Sequence, residues 1–261
     1  MEYYWIYIIL FAIAIIGFLL KDSDFKFKNS SKYIKPLSVS ISKVLDTNFH
    51  FYSTLTTLEK ERFIFRVKRF IVNKRFEGRQ DLEVTDEMKI LIAASAVQLT
   101  FGFPPIILKY FKRILIYPSK YISPMTKSEH VGEVNQRGII VLSWEYFKKG
   151  IDRPHDGLNL GLHELAHALK LENAINNSEY GFLSTLLLGK LHKLAIKEMR
   201  RIRQGENTFI RKYASSNQDE FFAVSVEYFF ERPRAFKAQV PELYKTLTQL
   251  LRQDPAKRSN Y

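Results

Sequence analysis

A chain of 261 residues with 46% hydrophobic and 26% charged side chains can bury a sizeable core and is neither disordered nor fibrous in composition. It has no cysteine, which excludes disulfide frameworks, thiolate metal sites, iron–sulfur clusters and cysteine nucleophiles. Its 40 Lys and Arg against 27 Asp and Glu leave a net charge of +13, which suits anionic partners, but no nucleic-acid-reading motif accompanies the scattered cations and no specific nucleic-acid partner is expected.

Residues 3–20, YYWIYIILFAIAIIGFLL, are an uncharged, mostly apolar run of 18. At about 1.5 Å per residue a helix of that length spans roughly 27 Å, close to the hydrocarbon thickness of a bilayer. Tyr3, Tyr4 and Trp5 at one end suit the membrane interface. A cleaved signal peptide would show a basic start, a shorter apolar stretch and a small-x-small exit, and none of these is present. Residues 1–20 are therefore expected to form one transmembrane helix. No Lys or Arg precedes it, while Lys21, Lys26, Lys28, Lys32 and Lys35 follow closely. That bias places the bulk of the protein on the cytoplasmic side of the inner membrane.

Residues 21–50 are polar and mixed in charge and read as a juxtamembrane linker, followed by one domain over 51–254 and a tail over 255–261. Within the domain, Leu55, Leu58, Phe63, Val67, Phe70 and Ile71 recur at helical spacing over 55–73. Thr85 is a suitable N-cap for a helix reaching Thr100, with Asp86 and Glu87 complementing its dipole. Gly102, Pro104 and Pro105 end it. Residues 113–117 and 138–143 (GIIVLS) are short β-rich runs bounded by turn residues, hence strands. Helical patterns resume over 159–170, 179–204, 220–231 and 241–252. The fold class expected is α+β, mostly helical, with a small sheet.

The chemistry concentrates in LNLGLHELAHALKLEN, which contains His163-Glu164-Leu165-Ala166-His167. Residues four apart share a helix face, so both imidazoles can reach a single ion. Glu164 is displaced by about a third of a turn, away from the ligand position and suited to take a proton from a metal-activated water. Leu158, Leu160, Leu162, Leu165, Ala166 and Leu169 mark a buried helix, where two histidines and a glutamate need partners.

A catalytic zinc commonly takes a third protein ligand. Asn173 stands where a metzincin would carry its third histidine, and Glu172 is too near along the chain to fold back. His155, Asp156 and His192 lack a helical setting aimed at the pair. Glu220 on a later helix is a candidate, although Asn217-x-x-Glu220 also matches a capping box. Glu227, on nearly the same face, and Asp219 stay open on spacing alone.

VTDEMKILIAASAVQLTFGF, the IYP at 116–118, GIIVLSWEYFKKG, HELAHALKLEN and NQDEFFAVSVEYFFERP occur in this order in the Mlc titration factor A family of zinc-dependent peptidases, which this chain resembles over about residues 50–252. That family is similar to the catalytic domain of anthrax lethal factor, a gluzincin. The resemblance implies a zincin-like metallopeptidase domain with one Zn2+ held by His163, His167 and Glu220, and Glu164 as general base. It also implies Tyr213 as a group assisting the transition state, a peptide or protein substrate, and an aminopeptidase activity. A role as a membrane-tethered protein sequestering a cytoplasmic regulatory partner, with zinc structural, is the alternative. Where some relatives carry a histidine thought to approach the metal, this chain has Lys112.

Overall fold

The computed structural model describes residues 37–175, 181–206 and 208–258. The expected transmembrane helix, most of the linker, residues 179–180 of the helix expected over 179–204 and the last three tail residues lie outside these; residues 181–184 are not helical, and that helix begins at Thr185, where Ser184 caps it. Among the described residues, no helix is long and apolar enough to cross a membrane.

Two short helices open the described chain, α1 (Ile41–Asn48) and α2 (His50–Ser53), followed by α3 (Thr57–Val72) and α4 (Asp86–Thr100). This corrects the linker reading for its last residues. Ile41, Leu45 and Phe49 are buried at a spacing of four, and α1 packs on α4. A single apolar stripe in an otherwise polar stretch looks like linker until it finds a partner surface. Helix α3 starts at a reciprocal capping box between Thr56 and Glu59. Thr85 caps α4 by accepting the Met88 N–H at 3.2 Å, as expected. Helix α4 is buried on nearly every side and forms the central rod of the helical layer.

A four-stranded sheet runs in the order β1-β2-β6-β5. Strands β1 (Arg75–Gly78), β2 (Arg113–Tyr117) and β6 (Ile139–Ser143) are parallel, and β5 (Gly132–Asn135) is an antiparallel edge. The two expected strands are the central pair; β1 and β5 were too short and polar to read. A small antiparallel pair, β3 (Tyr121–Ile122) and β4 (Glu129–His130), stands apart from this sheet. Helix α5 (Trp144–Asp152), also not expected, follows β6 directly with Ser143 as its N-cap.

The remaining helices are α6 (Leu160–Ile175), α7 (Thr185–Arg203), α8 (Gln218–Glu231), α9 (Pro233–Gln239) and α10 (Pro241–Leu251). Helix α6 packs against β5 and β6, against α4, and against α8. It is thereby sandwiched between sheet and helices, which is why its sequence is apolar nearly all round. Around α8 the core is aromatic: Phe221, Phe222, Phe229, Phe230, Phe236 and Tyr244 are almost fully buried. The tail is not free over its described part, since Pro255 is buried and Arg258 pairs with Glu59 at 3.2 Å.

Candidate metal centre

Helix α6 is started by Asn159, whose Oδ1 accepts the Leu162 N–H at 2.9 Å. The first two turns then carry His163 and Glu164, both buried, and His167, half-buried. Helix α8 is started by Asn217, whose Oδ1 accepts the N–H groups of Asp219 and Glu220 at 2.9 Å each. The cap is one-sided: the Glu220 side chain leaves the helix start and turns to the histidine pair.

The two helices bring three donor atoms to one point. His163 Nε2 lies 3.1 Å from Glu220 Oε2, His167 Nε2 lies 3.5 Å from Glu220 Oε1, and the two Nε2 atoms are 3.2 Å apart. One ligand atom from each of the three residues lies within 4.8 Å of the others. Bonds of about 2.0 Å to a tetrahedral ion separate ligand atoms by roughly 3.3 Å, so these spacings fit one zinc-sized ion with a fourth position open. Glu220 Oε2 is buried without a well-directed hydrogen-bond donor, as suits an oxygen whose partner is a cation.

Behind the pair, His163 Nδ1 sits 2.8 Å from Glu227 Oε1. A carboxylate only accepts, so Nδ1 carries a hydrogen, and Nε2 faces the other two donor atoms, able to offer its lone pair once a cation takes the place of its proton. Glu227 is therefore not a third ligand. Seven residues beyond Glu220, it is two helical turns along and meets the opposite edge of the imidazole. Its Oε1 also accepts from Arg211 Nη2 at 2.6 Å, and its Oε2 from the Asn159 N–H at 2.7 Å. One turn further, Glu231 accepts from Gly157 N–H and Asn159 Nδ2, both at 2.9 Å, and burial pushes its carboxyl up to about 8. Gly157 holds a φ of +81°, a conformation glycine adopts without strain, and so the chain turns into α6 beneath these acids.

The other candidate acids and histidines stay outside the donor group, although Asp156 lines the cleft beside it. Asp219 pairs with Lys170 at 2.5 Å, Glu172 accepts the Tyr110 N–H at 2.9 Å, and Asn173 accepts the Leu183 N–H at 2.9 Å. His155 packs edge-on against His50, and Asp156 accepts the Leu158 N–H. None of these, nor His192, joins the three-residue group.

Electrostatically the centre is poised for a cation. Burial opposes protonation of His163, but the carboxylates of Glu220 and Glu227 on either side of its ring overcome it and push its pKa up to about 10. Despite burial, the two histidines hold Glu220 far below the usual carboxylate range. Burial raises Glu164 to about 7 against the pull of His163 and His167. The Glu164 carboxyl lies against Gly132, the first residue of β5, where a Cβ would come within 2.5 Å of Oε1. Gly132, Asn159 and Arg211 had no signal in the sequence.

Tyr213 stands on the turn of 3₁₀ helix Lys212–Ser215, 52% exposed, its ring 6.2 Å from that of His163. Burial first, and then its hydrogen-bonding neighbour Glu220, push the phenol up to about 12. His163, Glu164, Tyr213, Arg211 and Gly132 open onto a cleft of about 720 Å³. Lys112 is exposed and does not line this cleft.

The centre thus unites two imidazoles and a carboxylate as donors with a second carboxylate beside them, at the wall of an open cleft. The chain is 31% identical over 227 residues to Mlc titration factor A of Salmonella arizonae, covering 78% of this chain and 87% of that protein. It is 30% identical over 230 residues to Mlc titration factor A of Escherichia coli O7:K1 and to that of Shigella flexneri serotype 5b, in each case over 79% of this chain and 84% of the relative. The family model described as glucose-regulated metallo-peptidase M90 matches residues 26–252, a span holding every residue of the centre, and the chain belongs to that family.

Proposed function

We propose that the protein is a peptidase that holds one Zn2+ on His163, His167 and Glu220 and hydrolyses peptide bonds with Glu164 as general base. The observation that carries this reading is the convergence of three donor atoms at tetrahedral spacing beside a buried glutamate, at the wall of a peptide-sized cleft. When bound, the ion would supply Lewis acidity that polarises the scissile carbonyl and acidifies water. The protein's own groups do the rest. Glu164 takes a proton from the attacking water and delivers it to the departing amine nitrogen. The Tyr213 hydroxyl donates a hydrogen bond to the carbonyl oxygen as it gains negative charge. Glu227, held by Arg211, keeps the His163 ring in the tautomer that frees Nε2.

The test is metal analysis and peptide-library cleavage on wild type and Glu164→Gln. The variant should retain one zinc per chain and lose about a thousandfold or more in hydrolysis. Cleavage at the wild-type rate would exclude Glu164 as the base. An aminopeptidase mode, implied by the family resemblance, predicts that N-acetylated peptides in the same library resist cleavage.

The relatives are named for titrating Mlc, and on that ground a second reading makes this protein a membrane-tethered binding protein that sequesters a partner, with the ion structural. A structural site closes its fourth position with protein. Among the described residues only three donors converge, which supports catalysis. We also propose that residues 3–20 anchor the protein in the inner membrane with the peptidase domain in the cytoplasm, on the strength of the apolar run and the lysines that follow it.

A further inference from the structure

Strands β1, β2 and β6 are parallel, so their starts share one edge of the sheet, and the antiparallel β5 ends there. The metal centre is at the other edge, where Gly132 begins β5 against Glu164. At the edge where the parallel strands start, the residues before β1 and β2, the β5–β6 turn and the last residue of α6 enclose a groove of about 1100 Å³. Its lining carries Lys74, Arg75, Lys109, Lys112 and Arg137 and no carboxylate. Arg75 pairs with Glu77 at 3.0 Å, and the Lys74 ammonium turns inward, donating to the carbonyls of Leu108 and Phe111. Lys109, Lys112 and Arg137 are exposed and have no acidic partner among the described residues. Ile107 and Ile175 line the same groove, and Ile175 is 42% exposed.

Like charges gathered without counter-ions repel one another, and a ligand that neutralises them is favoured. A flat bilayer surface does not enter a concavity, whereas an extended chain does. Alternate side chains of such a chain point to the same face, so acidic and apolar residues in alternation would meet the cations and the isoleucines separately. From this arrangement we propose that the groove is a docking site for an acidic, extended polypeptide segment of a partner protein. It is distinct from the catalytic cleft and shares no lining residue with it.

The probe is a fluorescein-labelled peptide of alternating glutamate and leucine, titrated by anisotropy against the full-length chain in detergent. The control peptide carries lysine for glutamate. The acidic peptide should bind, weaken steeply at about 0.5 M salt, and lose about tenfold or more in affinity in the triple variant Lys109→Glu, Lys112→Glu, Arg137→Glu. Ile175→Ser, which leaves the charges in place, should weaken binding by a smaller factor, and a thermal melt of each variant verifies its fold. Three outcomes would overturn the proposal: no binding beyond the lysine control, equal binding by the folded triple variant, or full competition by inorganic phosphate or phosphatidylserine vesicles acting through the same three cations.

Discussion

Glycine at position 132 is a requirement of the Glu164 carboxylate, the general base proposed above, rather than of the strand. A Cβ there would lie 2.5 Å from Glu164 Oε1 and 2.7 Å from its Cδ, and β5 cannot retreat because it is paired to β6 from Gly132 to Asn135. The side chain of Glu164 must move instead. Gly132→Ala should therefore leave the fold and zinc content intact while lowering hydrolysis by about a hundredfold, the scale expected for a misplacement of an ångström or so. The check is a double-mutant cycle on unfolding free energy. Overpacking costs about 1–3 kcal/mol in wild type, and that cost should vanish in a Glu164→Ala background where the space is vacated. An equal cost in both backgrounds would show that Gly132 serves the strand alone. Nothing in a single sequence distinguishes this glycine from a turn residue, because its neighbour Glu164 is brought to it by the packing of α6 on β5.

At the scale of elements, Lys74 ties the start of β1 to the segment leading into β2. Its ammonium donates to Leu108 O at 2.5 Å and to Phe111 O. A neutral amine still has two hydrogens for these two carbonyls, so the positive charge adds little bonding while burial penalises it. Burial lowers the pKa to about 8, against the attraction of Glu172. Because the folded value lies below the unfolded one of about 10.4, the unfolded chain binds more protons between these pH values, and stability attributable to Lys74 rises across that window. Below pH 8 the penalty is present in full. Urea unfolding of wild type and Lys74→Met at pH 7.5 and 10.5 should show the difference between them shifting by about 2 kcal/mol in favour of wild type at the higher pH, after allowance for partial exposure. A difference that does not change with pH would mean that Lys74 titrates normally in the folded state. Here too the contact joins segments more than thirty residues apart, out of reach of periodicity.

For the whole molecule, the charge pattern and the first twenty residues bear on where the enzyme works. If the lysines from 21 to 35 hold the anchor's following end in the cytoplasm, added protease should digest the domain in inverted membrane vesicles and spare it in right-side-out ones. Digestion from the outer face would reverse the orientation. The excess of cations over acids lies entirely beyond Leu20, where one part of it lines the groove at the start of the parallel strands.

The histidine pair with its glutamate, the caps at Thr85 and the two central strands were legible because each depends on residues within a few positions of one another: a helix puts positions 163 and 167 side by side wherever it lies, and a β-rich run between turn residues pairs with something. The third donor was not legible in the same way. Glu220 satisfied a capping pattern equally well, and Glu227 shared its face; the register of α8 against α6, more than fifty residues away along the chain, sends one carboxylate to the open nitrogens and the other to the back of the His163 ring. The short elements β1, β5, α1 and α5 were hidden for a related reason, since each is stable only on a surface that distant parts of the chain provide. Chain-local geometry determines which chemistry is available, and packing decides which atoms perform it.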